Sequence, residues 1–204
     1  MTPRPSRPRT LAAVALSASA LGGALIGGAA SAAAAPPPSR TYIGTVDGAD
    51  AFAAVVTRGD VAVAYVCNGR RIAVWLKGSF VGGRLDLASR RGDTLTGTLR
   101  RGTLDLTDRQ PLSVRTAFSP LTDRARFFIG SARIGGTGWA GGWITLADGR
   151  QRGALRDDDG RVFATRRVTT TTAAVAAPGG GTVGVSEYLK DWDKIPKRVG
   201  GAAA

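Results

Sequence analysis

Two-residue turn signals recur along the middle of this chain, each between short runs in which apolar and polar residues alternate. They are Asp47-Gly48, Asn68-Gly69, Gly82-Gly83, Asp148-Gly149 and Asp159-Gly160. Because Asn, Asp and Gly tolerate the positive φ angles of tight hairpin turns, each dipeptide predicts a β-hairpin. The region from 40 to 168 also contains no glutamate and few residues that favour helix surfaces. The sequence therefore predicts an all-β core domain over residues 40–168.

The alternation around Gly82-Gly83 predicts a strand register. It pairs Phe80 with Leu85 on one face and Ser79 with Asp86 on the other. About ten strands in sequential order are too many for one flat sheet, so an antiparallel meander that closes into a barrel or barrel-like sheet is predicted. A two-sheet β-sandwich is the alternative. The glycines within 138–142 fit tight coiling or bulges of such a sheet.

The stretch VAVAYVCNGRRIAVWLKG, residues 61–78, holds the only cysteine and the only asparagine of the chain. A two-residue loop at Asn68-Gly69 places Cys67 opposite Arg70 on an apolar face, and Trp75 with Arg71 on the other face. No histidine is present to activate the thiol. We expect Cys67 to be a packed apolar residue rather than a reactive one.

Both ends of the chain differ from this core. Arg4, Arg7 and Arg9 precede an uncharged run to Ala30, and a small-residue cleavage site follows, so residues 1–32 predict a signal peptide and a secreted, extracytoplasmic protein. An uncleaved anchor in the membrane is the alternative. Residues 169–204 are rich in Thr, Ala and Gly and predict a low-complexity flexible linker and tail, with a short helix over 186–195 that either docks or stays disordered.

The residue inventory excludes several chemistries. Without histidine, and with one cysteine, the chain cannot build a Ser-His-Asp or Cys-His centre, a His-ligated zinc site or a Cys-rich metal site. Asp86 and Asp105 alternate with leucines and are predicted to face solvent, and Asp157-Asp158-Asp159 is interpreted as a charged turn rather than a calcium loop. Arg58-Gly59-Asp60 is interpreted as a turn. We expect no catalytic residues, no metal, no cofactor and no enzymatic activity.

Charge indicates the kind of partner. The formal net charge is +13, and only the three early arginines of it belong to the predicted signal. Such an excess attracts polyanions, although arginines scattered over solvated faces explain it as well. Aromatic residues near cations suggest a binding surface, whose alternative is that the tryptophans fill the core. Its candidate residues are Arg71, Trp75, Lys77, Trp139, Trp143, Arg150 and Arg152.

Two stretches resemble a known kind of domain: Ala64-Tyr-Val-Cys-Asn-Gly with Val74-Trp-Leu-Lys-Gly, and Gly141-Gly-Trp-Ile-Thr-Leu-Ala-Asp-Gly-Arg-Gln-Arg-Gly. They are similar to an exported β-rich domain of high-GC Gram-positive bacteria that has no established activity. The resemblance extends from about Tyr42 to Leu155 and omits the tail. It implies a single extracytoplasmic module and assigns no catalytic residue.

Three functions are compatible with these features. The leading one is a secreted non-enzymatic binding or structural module for an anionic cell-wall polymer or glycan, without specific nucleic-acid recognition and with a membrane association only if the signal is uncleaved. A carboxylate-based hydrolase of wall polysaccharide is an alternative. A protein-interaction module that uses the tail helix, with a partner protein that the sequence does not identify, is another.

Overall fold

An eight-stranded antiparallel barrel forms the first part of the computed structural model, which describes residues 37–107, 110–117 and 124–188. Each strand pairs with the next along the chain, and the eighth pairs with the first to close the barrel. The strands are β1 (Ser39–Val46), β2 (Ala51–Arg58), β3 (Val61–Cys67), β4 (Ala73–Val81), β5 (Arg84–Ala88), β6 (Thr94–Thr98), β7 (Arg101–Asp105) and β8 (Leu112–Ala117). The predicted all-β class and the closed antiparallel meander are confirmed, and the described residues contain no helix.

A second, six-stranded sheet follows and curves into a half-barrel. Its strands are β9 (Arg126–Ile134), β10 (Thr137–Thr145), β11 (Gln151–Asp157), β12 (Val162–Ala164), β13 (Ala174–Ala176) and β14 (Thr182–Glu187). They lie in the order β12-β11-β10-β9-β14-β13. The strands after β8 therefore do not extend the barrel, as a single meander would, because β8 already pairs with β1 and leaves no edge for them to join.

The second sheet covers one side of the barrel, and the strand sequences reflect this. β2 and β3 are buried along nearly their whole length, which explains their continuous apolar runs AFAAVV and AVAYVC. β5 and β7, on the uncovered part, alternate between buried and exposed residues, and the leucines of both strands are buried. The barrel interior combines small and large side chains, for example Ala53 and Ala64 with Leu87 and Leu104. This pattern fills a narrow barrel without leaving a channel.

Two further apolar cores belong to the second sheet. The interface core lies between the sheet and the barrel and contains an aromatic chain of Tyr65, Trp75, Phe127 and Tyr188. The ring centroids of Tyr65 and Trp75 are 4.5 Å apart, and those of Phe127 and Tyr188 are 5.9 Å apart. The outer core lies on the other face of the sheet, inside the half-barrel. It comprises Phe128, Trp139, Trp143, Leu155, Val168, Val175, Ala177 and Val183.

The β3–β4 hairpin corrects one predicted register. Cys67 pairs with Ala73 rather than Arg70, and Tyr65 pairs with Trp75, because the loop is five residues long instead of two. The side-chain oxygen of Asn68 accepts hydrogen bonds from the backbone N–H groups of residues 70, 71 and 72, at 2.9–3.0 Å. The three-residue shift is odd, so it moves Trp75 onto the same face as Tyr65 and Cys67. Cys67 is fully buried, as predicted.

Other predicted turns are confirmed. Gly82 and Gly83 form the two-residue connection between β4 and β5, and the predicted pairs Phe80–Leu85 and Ser79–Asp86 are both present. Gly59, with φ of 56°, allows the tight turn between β2 and β3. The Gly-rich segment of β10 contains no bulge, since its pairing with β9 runs without interruption from Thr137 to Thr145.

The segment after residue 168 also differs from its prediction. Instead of a flexible linker it contains the β13–β14 hairpin, in which Gly179, Gly180 and Gly181 form the connection with positive φ angles. Val183 and Tyr188 are fully buried. The ordered domain therefore extends beyond 168, because β14 pairs with β9 and covers the outer core.

The first two residues of the helix predicted over 186–195 belong to β14. Residues 189–195, and the predicted signal peptide over 1–32, lie outside the described residues.

In the part of the chain that the structure describes, no helix has the length and hydropathy needed to cross a membrane.

Candidate anion-binding groove

The three tryptophans of the predicted binding surface are buried, so that surface is wrong. Trp75 is 5 % exposed, Trp139 7 % and Trp143 1 %. Trp75 packs in the interface core, whereas Trp139 and Trp143 pack in the outer core. The alternative interpretation, that tryptophans fill the interior, is the correct one for these residues.

The cations of that predicted surface lie in different parts of the molecule and make different contacts. Arg71 is exposed in the β3–β4 loop, and Lys77 is exposed on β4. The guanidinium groups of Arg150 and Arg152 lie 5.6 and 5.2 Å from the ring centroid of buried Phe52, a cation–π geometry.

Arg152 also binds the barrel directly. One guanidinium nitrogen lies 2.6 Å from the carboxylate of Asp50, and another donates to the backbone carbonyl of the same residue. Arg152 therefore holds the second sheet against the barrel, and it is not part of an open binding face.

A groove of about 600 Å³ opens at the end of the half-barrel, where the outer core meets solvent. The mouths of β-barrels are common ligand sites. Three chain segments contribute to it: the start of β9, the β10–β11 connection and the residues that follow β12. We call it the arginine groove. It is lined by Arg124, Arg126, Phe128, Thr145, Ala147, Asp148, Gly149, Arg167, Val168, Thr169 and Thr170.

The strand register positions the floor of the groove. Arg126 on β9 is the direct cross-strand partner of Thr145 on β10, and Thr145 is the partner of Gln151 on β11. Directly paired residues have side chains on the same face of a sheet. Arg126, Thr145 and Gln151 therefore form one row across the end of the second sheet.

The Gln151 side chain binds the backbone of the segment that follows β12, in the way that a neighbouring strand would. Its amide nitrogen donates to the Val168 carbonyl at 2.7 Å, and its amide oxygen accepts from the Val168 N–H at 2.9 Å. The same nitrogen donates to the Thr145 hydroxyl. Further along this segment, Trp143 Nε1 donates to the hydroxyl of Thr165 at 2.7 Å. These contacts hold Arg167, Thr169 and Thr170 in place beside the floor.

The electrostatics of the groove are positive. Of the residues that the structure describes, three arginines line it together with one carboxylate, that of Asp148. Asp148 is paired with Arg150 at 2.8 Å, and hydrogen bonds from the backbone and side chain of Arg150 lower the pKa of Asp148. Behind the lining, Glu187 forms an ion pair with Arg126. Since each of these two acids is matched by an arginine, Arg124 and Arg167 carry charge in excess of the described acids at the groove.

Arg167 is positioned by a hydrogen bond to a neutral group. It donates a hydrogen bond to the Gly149 carbonyl at 2.8 Å, and a guanidinium has further N–H groups to offer a ligand. Arg124 is exposed in the turn that precedes β9.

Sequence reasoning missed this site because its cations are far apart in the chain. The visible signals were two short basic pairs, Arg124 with Arg126 and Arg166 with Arg167, each next to a strand. Only the register of β9 and β10 and the Gln151 contacts bring Arg124, Arg126 and Arg167 to the same groove. Gln151 itself carries no sequence pattern that would predict its role.

The aspartates in the described part of the chain offer no support for acid–base catalysis. Asp86 and Asp105 are exposed, as predicted, and lie on strands that are separated by β6. Among the described residues, no cluster of three or more potential metal ligands is present.

The two most buried aspartates are engaged in structural contacts. Asp93 accepts hydrogen bonds from Ser89 and Thr107. Burial would raise the pKa of Asp157, but hydrogen bonds from Arg161 outweigh it and lower the pKa. A carboxyl group with a lowered pKa is ionised at neutral pH and cannot act as a general acid.

No protein-family model, curated protein or solved structure matches this chain. The similarity to an exported domain of high-GC Gram-positive bacteria consequently stays a prediction.

Proposed function

We propose that this protein is a non-enzymatic module, exported from the cell, that binds an anionic polymer of the cell envelope in the arginine groove. The observation that carries the proposal is the convergence of Arg124, Arg126 and Arg167 on one groove, in which the one carboxylate among the described lining residues is already paired. Guanidinium groups make strong, charge-assisted hydrogen bonds to phosphate and carboxylate oxygens. The export itself rests on the signal-like N-terminus.

The groove favours recognition of charge over recognition of flat rings. Proteins that bind glycans or bases by stacking present accessible aromatic side chains. Every tryptophan and tyrosine among the described residues is buried, and Phe128, the aromatic residue that lines the groove, is 2 % exposed. This supports an anionic polymer over a neutral glycan as the ligand.

The proposal predicts that removing two groove charges weakens polyanion binding. We expect the double variant R124Q/R167Q to bind immobilised inorganic polyphosphate more weakly than the full natural chain does. The slope of log K against log salt concentration should become shallower by about 2, since each phosphate contact contributes about 1. The measurement is surface plasmon resonance at several salt concentrations.

A charge-matched control separates the groove from general basicity. Arg84 and Arg101 are exposed on the barrel strands β5 and β7 and do not line the groove. The R84Q/R101Q variant removes the same charge and should retain the natural slope. Equal losses in both double variants would refute the groove as the binding site and would leave only scattered surface charge.

A further inference from the structure

We infer that the ligand of the arginine groove is an extended phosphodiester chain without bases, that is, a polyol phosphate. This inference rests on the proposed function and specifies its ligand class. It comes from the donor chemistry of the lining, the placement of its two cations in excess and the burial of the described tryptophans, tyrosines and Phe128.

The lining provides hydrogen-bond donors of two kinds. Guanidinium groups come from both the start of β9 and the segment after β12, and the floor between them is Thr145. The hydroxyls of Thr169 and Thr170 lie next to Arg167. Phosphate oxygens are arranged tetrahedrally and can accept from donors on several sides, whereas the two oxygens of a carboxylate lie in one plane. Threonine hydroxyls can also accept from the free hydroxyls of a polyol, which a guanidinium cannot do.

The two cations in excess, Arg124 and Arg167, lie on opposite sides of β10. Arg124 precedes β9, which pairs with one edge of β10, and Arg167 precedes Val168, which Gln151 of β11 holds beyond the other edge. A diester built on a three-carbon polyol has six covalent bonds between successive phosphorus atoms, so its charges recur along the chain. An extended chain of this kind can therefore present a phosphate to each of the two arginines.

Buried aromatic residues argue against a polymer that carries rings. Nucleic acids have the same six-bond repeat, but their binding as single strands depends on stacking of bases on aromatic side chains. Uronic acid polymers carry their carboxylates on sugar rings, which commonly pack on aromatic faces. Among the described residues that line the groove, Phe128 is the one aromatic residue, and it is 2 % exposed. Binding of a phosphodiester without bases does not require accessible aromatic side chains.

The test compares three probes of equal charge on the full-length protein. The probes are a synthetic glycerol phosphate oligomer, an oligothymidylate and an oligogalacturonate, and dissociation constants are measured by isothermal titration calorimetry at one salt concentration. We expect the glycerol phosphate oligomer to bind at least about tenfold more tightly than either of the others. The variant T170V, which removes a hydroxyl at nearly constant volume, should reduce that preference.

The outcomes separate this inference from the proposed function. Equal affinity for all three probes, lost in R124Q/R167Q, would overturn the inference and leave the proposed polyanion-binding function intact. Tighter binding of oligothymidylate or of oligogalacturonate would also overturn it, in favour of a nucleic acid or a carboxylate polymer. Binding of none of the probes would refute the proposed function itself.

Discussion

Gly142 lies directly beneath the ring of Tyr65, and this contact joins the second sheet to the barrel. A Cβ atom at position 142 would lie 2.6 Å from two ring carbons of Tyr65. Gly153 serves Trp143 in the same way, since a Cβ there would lie 2.0 Å from the indole ring. The Gly-rich pattern of β10 and β11 thus lets aromatic rings lie flat on the backbone, which is a different role from the coiling or bulges that the sequence suggests.

Substitution of Gly142 by alanine should consequently destabilise the fold. The new methyl group forces the Tyr65 ring, which is fully buried, to shift within a packed core. We expect the free energy of unfolding to fall by about 1–3 kcal/mol, the range seen for overpacked cores. Urea denaturation followed by tryptophan fluorescence measures the change.

Gly184 provides the matched control. It also lies in a strand of the second sheet, β14, but a Cβ there would meet no heavy atom within 4 Å. The G184A variant should change stability by less than about 0.5 kcal/mol. If G142A were as mild as G184A, close packing of Tyr65 on the backbone would not be the reason for glycine at position 142.

At the scale of elements, the pairing of β14 joins the C-terminal segment to the rest of the fold. Its pairing with β9 runs from Val185–Gly130 to Glu187–Phe128, and the Tyr188 backbone N–H then donates to the Phe127 carbonyl at 2.7 Å. The Tyr188 ring enters the interface core beside Phe127. The Thr- and Gly-rich composition conceals this, because apolar residues at only a few alternate positions are sufficient for a short strand.

The Y188A variant tests this arrangement. Loss of a fully buried aromatic side chain should reduce the free energy of unfolding by about 3–5 kcal/mol. T182A, at an exposed position of the same strand, should have little effect. Thermal unfolding followed by circular dichroism compares the two variants. Similar melting temperatures in Y188A, T182A and the natural chain would mean that the Tyr188 side chain, which follows β14, does not contribute to the stability of the domain.

Hairpins show which elements could be predicted. At Gly82-Gly83 the two glycines are the whole connection, so local turn chemistry determines the register. At Asn68 the same reasoning fails, because the Asn68 side chain satisfies three backbone N–H groups and closes a longer loop. The face on which Trp75 lies changes with that loop length, and the prediction that Trp75 lies on a binding surface was wrong for this reason.

At the scale of the whole molecule, the barrel and the second sheet share one apolar interface, and two ionisable groups are buried in it. Burial raises the pKa of Tyr65 well above its ordinary value, and nearby Cys67 raises it further. Burial likewise raises the pKa of the Cys67 thiol. The folded protein therefore keeps both protons at pH values at which the unfolded chain has lost them.

The sign of the resulting pH dependence follows from this linkage. The stabilising contribution is complete below the unfolded pKa values, about 8.5 for cysteine and about 10 for tyrosine, and it decreases as the pH rises through them towards the folded values. We expect the free energy of unfolding to fall between about pH 8 and 11. The measurement is urea denaturation across this range.

Two variants test whether Cys67 and Tyr65 cause this fall in the free energy of unfolding. C67A removes the thiol and should flatten the part of the curve that begins near the unfolded pKa of cysteine, about 8.5. Y65F removes the phenol, together with its hydrogen bond to the Ala154 carbonyl at 3.3 Å, and should flatten the later part. An unchanged pH dependence in both variants would show that other groups control alkaline unfolding.

The sequence by itself determined the class of the fold, because turn dipeptides and two-residue periodicity are local properties. It also determined that Cys67 is buried and that histidine-dependent chemistry is absent. Only the tertiary structure decided that the strands divide into a closed barrel and a second sheet, that the tryptophans are interior, and that Arg124, Arg126 and Arg167 meet at one groove. Those outcomes depend on which strands pair and on which face each side chain lies. A single loop whose length changes by an odd number of residues reverses that face, and no short-range pattern reveals it.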